Sequence, residues 1–403
     1  MDTHPGLLVG PVFLDYNATT PTDPRVVEAM LPYLTTHFGN PSSGHDYGTT
    51  PAEAIAVARH QVARLIGADP GEIVFTASGS EADNLAIRGA VLTHHTRGTS
   101  SARVHVVTQR TEHPAVLAAC DALHRLHGVQ VTYLPVDVHG QVDPAALAAA
   151  LTDHTALVSI MMANNETGTL QPIPELARIA HDHGALFHTD AAQAVGKIPV
   201  DVADLGVDLL TVVGHKMYAP KGVAALYARA GTPLEPLVYG GAQERGLRAG
   251  TESAALIAAL GAAADLAATD LTAGEPHRLR GLRDELHRRL AEQLPGRVLL
   301  NGHPTQRLPN TANLALTPHD GPALLAAAGV AASTGSACHT GTTQPSPVLT
   351  AMGLPDAQTR SAIRLSLGRW TTTEDITQAA NRLAAVAAGT ALHSAAPAHV
   401  DQP

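Results

Sequence analysis

The chain has 403 residues, 45% hydrophobic and 15% charged, with a formal net charge of −10. That length can bury a large core in two or three domains, which excludes a disulfide- or metal-stapled small scaffold, and the acidic balance argues against nucleic acid or an anionic membrane as the main partner. Two cysteines, Cys120 and Cys338, are too few for a disulfide framework or the four thiolates of the usual iron–sulfur cluster, so a reducing, cytoplasmic setting is expected.

No Lys or Arg precedes Arg25, so a secretory signal is not expected, and no apolar run reads as long enough to span a bilayer. From residue 51 onward, helical patterns alternate with short apolar runs, the signature of a sheet built largely from βαβ units. Strands are predicted at Ile73–Thr76, Val104–Thr108, Val129–Leu134, Leu157–Met161, Leu186–Thr189, Leu209–Val213 and Val223–Tyr227. Helices are predicted at Pro51–Ile66, Glu81–Leu92, Ala115–Leu126, Pro144–Leu151 and Pro174–His181, several opening on Pro or an acid. Two Ala/Leu-rich helices follow, Ser253–Ala268 and His277–Leu294, and then a smaller sheet from Arg297–Asn301, Asn313–Leu316 and Ile363–Leu367, closed by helix Glu374–Ala388. This divides the chain into a large domain, residues 15–260, and a small one, 1–14 with 261–390; residues 391–403, small and polar, read as a disordered tail.

The informative residues fall at strand ends, where open α/β sheets bind ligands. Thr76-Ala-Ser-Gly79-Ser80-Glu81 is a hydroxylic turn opening a helix, either a phosphate seat or a plain helix cap. Asp190 ends a strand in His188-Thr-Asp190-Ala-Ala-Gln193, where a carboxylate can hold a heteroaromatic nitrogen protonated or simply cap the next helix. His181 and His183 are two residues apart at a helix end and share no face, so no metal site is expected. Lys197, Lys216 and Lys221 are the only lysines. Lys216, after Gly214-His215, has the position of a Schiff-base amine or of a surface turn lysine, whereas Lys197 and Lys221 read as turn residues. Cys120 lies in an apolar periodic run and reads as structural. Cys338, in Gly335-Ser-Ala-Cys338-His339-Thr-Gly341, reads as an exposed nucleophile on a segment long enough to move. Arg364, inside an apolar strand pattern, requires a carboxylate from protein or substrate.

The order of these features, with Leu14-Asp-Tyr-Asn-Ala-Thr-Thr20, Phe38-Gly-Asn40-Pro-Ser42, Thr111-Glu-His113-Pro114, Asn164-Asn165-Glu-Thr-Gly168 and Arg248-Ala-Gly-Thr251-Glu252, resembles the class V aminotransferase-fold enzymes. Within them it is similar to cysteine desulfurases and selenocysteine lyases, from about Phe13 to Ala388. The resemblance implies the aminotransferase type I fold, pyridoxal 5′-phosphate as cofactor, and conversion of L-cysteine to L-alanine with the sulfur passed to Cys338 as a persulfide. The alternative is selenocysteine cleaved to alanine and selenide. A transaminase on the same fold or a non-catalytic scaffold fits less well, the first against Cys338 and the second against Lys216, Asp190 and His113.

It further implies that Lys216 carries the cofactor, Asp190 faces its ring nitrogen and His113 stacks on the ring. Asn165 and Gln193 would contact its oxygen side, and Gly79, Ser80 and His215 would ring the phosphate. Arg364 and Asn40 would bind substrate. Thr251 would reach in from the second subunit of a homodimer, and an acceptor protein or small thiol would unload Cys338. One position departs: many cysteine desulfurases carry Ser where this chain has Val213, and the Val-Gly-His-Lys form looks more like selenocysteine lyases. A phosphate donor is therefore missing or is replaced by Thr211.

Overall fold

Short strands buried on both faces set the architecture of the computed structural model, which describes residues 3–96, 104–335 and 345–389. The tail and Cys338 lie outside the described residues. In chain order the strands are β1 (Val12–Phe13), β2 (Ile73–Thr76), β3 (His105–Gln109), β4 (Gln130–Leu134), β5 (Thr155–Ser159), β6 (Leu186–Asp190), β7 (Leu209–Val213), β8 (Ala224–Ala228), β9 (Val298–Asn301), β10 (Thr311–Leu316), β11 (Val330–Ala331) and β12 (Ala362–Ser366). The large sheet runs β2-β8-β7-β6-β5-β3-β4. It is parallel except for β8, which is antiparallel to both its neighbours.

Alternation along each strand feeds two layers. Val106, Leu157, Leu209 and Leu226 join the core on one face, and Val107, Val158, Phe187 and Leu210 join that on the other. Each such side chain contributes about 1.5–3 kcal/mol on burial. The strand order reverses between β3 and β5, since β4 lies outward of β3 while β6 and β7 follow β5 the other way. Such a switch point opens a crevice at the carboxyl ends of the strands.

A second core forms on the antiparallel sheet β12-β10-β9, where Leu314, Ile363 and Leu365 meet Leu286 and Leu290 of helix Glu275–Gln293 and Ile376 and Leu383 of helix Thr373–Ala387. The N-terminal segment completes it: Leu14 packs there and β1 pairs in parallel with β11. Helix Ala254–Thr272 lays Ile257, Leu260, Ala263, Ala264 and Ala267 into the first core, and Leu279 of the next helix enters the second. Packing therefore changes over at Gly274, between the helices, whereas composition places the division near residue 260.

That helix corrects the bilayer reading. It is 19 residues long and its most apolar stretch has a mean hydropathy of 1.5, enough by length and composition to cross a membrane. Its apolarity is used in packing instead: a Cβ on Gly261 would lie 2.6 Å from Cα of Ala58, so glycine lets helix Asp46–Leu65 approach to backbone contact.

Candidate active site

A cavity of about 260 Å³ opens at the carboxyl ends of β2, β3, β5, β6 and β7, and Gly79, Ser80, His113, Asn165, Asp190, Gln193, His215, Lys216 and Arg364 all line it. Helix Gly79–Thr96 starts straight after β2. Ser78 Oγ accepts from Glu81 N at 3.1 Å, and Glu81 Oε2 accepts from Ala77 N at 3.0 Å, so the helix cap is real. It leaves the first-turn N–H groups of Gly79 and Ser80, which have no intrahelical partner, on the cavity wall. The cap therefore leaves room for an anion at the same helix start.

Lys216 ends a single 3-10 turn after β7. Its Nζ donates to the carbonyls of Asn17 at 2.6 Å and Ala18 at 2.8 Å, which aims the amine into the cavity. Asp190, 5% exposed at the end of β6, accepts from Ala192 N at 2.9 Å through Oδ1. His113 precedes helix Pro114–His127, and its Nδ1 accepts from Ala115 N at 3.2 Å, so a neutral ring carries its proton on Nε2. Burial pulls the His113 pKa down and Lys216 adds to that, against the opposing pull of Asp190. His215, whose Nδ1 lies 3.2 Å from Thr19 Oγ1, is brought down to about 4 by burial and by Lys216.

Arg364 on β12 is 1% exposed and takes its carboxylate from the protein, with Nη2 donating to Asp15 Oδ1 at 2.7 Å and Nη1 to the Asn165 carbonyl at 3.2 Å. Its Nε has no partner. The ion pair and the cavity wall are therefore the same residue. Asn40 and Thr251 are exposed and do not line the cavity of this chain; Asn40 Oδ1 accepts from Ser42 N at 2.9 Å. Cys120 is wholly buried, and its thiol is pushed up to about 12 by burial.

Two readings change. Lys197 does sit in a turn, but not at the surface: it is buried, and its Nζ donates to Gln193 Oε1 at 2.7 Å while Gln193 Nε2 donates to the Asn17 carbonyl at 3.0 Å. The spacing of four on one turn was the available signal. Thr211 does not replace the phosphate donor, because it is fully buried and its Oγ1 lies 3.2 Å from His188 Nε2, inside the sheet face. Val213 stands at the anion seat instead; a Cβ on Gly79 would be 2.5 Å from Val213 Cγ2. Lys221 is exposed, as expected. Of the histidines considered for metal, His181 pairs with Asp208 at 2.8 Å and His183 bonds the Ile179 carbonyl. One group of possible metal donors lies close together among the described residues, Asp83 with His113 and Asp190.

Sequence reasoning missed Asp83 and Asn17. Asp83 sits four residues after Gly79, one turn along the face that carries the anion seat, and that spacing could have found it. Asn17 gave no such signal: its side chain bonds the Asn165 carbonyl and Thr311 Oγ1 across long sequence distances.

An amine, a flat imidazole, a strand-end acid and a hydroxylic helix start on one cavity suit a heteroaromatic aldehyde bearing a phosphate. The family profile of Aminotransferase class-V matches residues 12–378. A cysteine desulfurase of Trichormus azollae is 49% identical over 368 residues, covering 91% of this chain and 90% of that protein. A cysteine desulfurase IscS of Methanosarcina thermophila is 47% identical, with coverage of 91% and 89%. Among solved structures, a NifS-like protein superposes with a TM-score of 0.86 at 33% identity, covering 94% of this chain and all (100%) of that one. A structure described as SspA in complex with cysteine gives a TM-score of 0.77 at 34% identity, with coverage of 89% and 99%.

Proposed function

This chain belongs to the aminotransferase class-V family, and from that premise we propose that it is a pyridoxal-phosphate-dependent cysteine desulfurase that moves sulfur from L-cysteine to Cys338 and releases L-alanine. The observation carrying this reading is that Lys216, Asp190, His113 and the Gly79-Ser80 helix start line a single cavity. When bound, pyridoxal phosphate supplies an electron sink for the carbanion formed beside the substrate amine.

The chain's own residues do the rest. Lys216 would hold the cofactor through its amine, and the same amine would carry a proton to and from the substrate carbon. Asp190, fixed by the Ala192 N–H on its Oδ1, would face the ring nitrogen and keep it protonated. His113 would stack on the ring, and burial, which lowers its pKa, favours the neutral imidazole that can accept a proton. Gly79, Ser80 and His215 would hold the phosphate, and Gln193, oriented by Lys197, and Asn165 would contact the ring oxygen. Arg364, through its unpartnered Nε, would take the substrate carboxylate, and Asn40, which is outside the cavity of this chain, could join it only from the second copy. The Cys338 thiolate attacks the substrate sulfur; the carbon–sulfur bond breaks, its electron pair stays with carbon, and carbon takes a proton to become alanine. The persulfide left on Cys338 goes to an acceptor protein or small thiol.

A homodimer completes the site, with Thr251 entering from the second copy. The exposure of Phe38 (73%), Tyr47 (67%) and Tyr239 (72%) supports this, because Tyr239 lies next to the Thr251 segment through the Val238–Arg248 bridge and large exposed apolar side chains mark interfaces.

Val213 at the anion seat favours one second reading, selenocysteine lyase. A single experiment separates them. Reconstituted wild-type protein given L-cysteine should release alanine and gain one sulfur atom on the Cys338 peptide by mass spectrometry, and Cys338→Ala should bind cofactor and cysteine yet form no persulfide. Wild-type protein that never carries the adduct while releasing selenide from selenocysteine overturns the desulfurase reading.

A further inference from the structure

Beneath the cavity floor lies a second carboxyl that the mechanism above does not use. Asp83 is 2% exposed, lines the same cavity as Asp190, and its Oδ1 has no hydrogen-bond partner. One oxygen of Asp83, one of Asp190 and one ring nitrogen of His113 lie within 4.8 Å of one another. The charged and titratable neighbours are Asp190 and His188 on β6 and Glu112 and His113 after β3, with Lys216 and His215 lining the same cavity. Among the ion pairs of the described residues, the single one that reaches Asp83 is from His188 Nε2 at 3.8 Å. His188 is wholly buried, bonded to Ser159 Oγ at 2.8 Å, and burial takes its pKa to about 3, so it brings no positive charge. Two buried carboxyls this close do not both ionise.

The proton has a clear owner. Asp190 has a backbone N–H donor on one oxygen, whereas Asp83 lies deeper with an oxygen unanswered. Resting on the cofactor reading above, we propose that Asp83 is a positioning residue: a neutral carboxyl that donates toward Asp190 and so sets how strongly Asp190 holds the proton of the cofactor ring. Burial and the neighbouring Asp190 and Glu112 raise its pKa, against a hydrogen bond from Thr211, and Thr211 is itself the β7 partner of Asp190 in the ladder. Asp83 thus acts through Asp190 and touches no reacting atom.

Asparagine keeps a neutral donor of the same shape, and leucine keeps only the volume. Infrared difference spectra between wild type and Asp83→Asn should show the loss of a neutral carboxylic-acid C=O stretch, in protein with and without cofactor, distinct from the one removed by Glu112→Gln. In reconstituted protein, the pH midpoint of the cofactor's visible band should stay near wild type in Asp83→Asn and move by about one pH unit in Asp83→Leu; kcat should fall roughly tenfold in the leucine variant with KM for cysteine little changed. A carboxylate stretch in place of the acid stretch, or a midpoint that Asp83→Asn moves as far as Asp83→Leu, overturns the proposal. The spectra of cofactor-free protein and Asp83→Asn decide the matter even where Asp83→Leu does not fold. A protein that binds no cofactor would defeat the desulfurase reading while leaving the infrared test of Asp83 in place.

Discussion

The strand ends at the cavity and the outer face of helix Glu275–Gln293 both gather charged side chains, under opposite conditions. Around the cavity, Asp83, Glu112 and Asp190 are 2%, 3% and 5% exposed, and two of them leave an oxygen without a partner. On the helix, Glu285 meets Arg288 and Arg289 at 2.7 and 2.6 Å, and Arg288 meets Glu292 at 2.5 Å, in contact with water. Water pays most of the cost of charge on the helix, so forming or breaking those pairs changes little. At the cavity nothing but the protein answers each charge, so one group must surrender its charge or take a fixed donor. Close ion-pair geometry therefore marks the less consequential of the two regions.

Substitutions should rank accordingly, and Lys216 comes first. Lys216→Ala should lower desulfuration roughly 10³-fold or more, because tether and proton carrier go together. Borohydride reduction of wild type followed by peptide mapping should put the pyridoxyl label on Lys216, and a label on buried Lys197 or exposed Lys221 would break the assignment.

Asp190→Asn should come next, lowering kcat about 10²–10³-fold with cofactor still bound through the helix start. The visible spectrum shows retention before turnover is measured, and near-normal turnover would remove Asp190 from the cluster that matters.

A smaller effect, in stability, is expected at Glu112. Its Oε1 accepts from Met161 N at 2.6 Å and from Gln109 Nε2 at 2.9 Å, with Oε2 unanswered, and burial raises its pKa from 4.5 to about 8. The folded state thus holds a proton that the unfolded state releases, so the contribution to stability is full below about pH 4.5 and is lost as pH rises through about 8. Glu112→Gln, which needs no proton, should flatten that decline in denaturant titrations taken across the range.

Smallest of all, Glu285→Ala should leave the thermal midpoint within the scatter of replicate scans, and the remaining difference should vanish in high salt. A large shift there would reverse the comparison between the two regions.

Strands, helices and the chemistry-bearing strand ends were legible because each rests on local rules. Short continuous apolar runs predict Ile73–Thr76 and Leu209–Val213 at their observed bounds, and a helix start after a hydroxylic turn places Gly79 and Ser80 on the cavity. The order of motifs was enough to point to Lys216, Asp190 and His113, and the structure puts them on one cavity. Val104–Thr108 and Leu157–Met161 shift by one or two residues because the apolar runs extend past the hydrogen-bonded ladder.

What only the tertiary structure decided is which lone polar residues meet. Lys197 reads as a turn lysine until Gln193 and Asn17 close over it, and Thr211 reads as a phosphate donor until the parallel pairing of β6 and β7 points it at His188. Arg364 on β12 and Asp15 near the N-terminus stand 349 residues apart and pair at 2.7 Å, a contact that no local periodicity encodes. Asp83 is the clearest case: its helix spacing put it on the right face, but its missing partner exists only once Asp190 is brought beside it. Local pattern depends on the covalent chain and water, and so can be read along a sequence; the charge state of a buried group depends on neighbours that folding alone supplies.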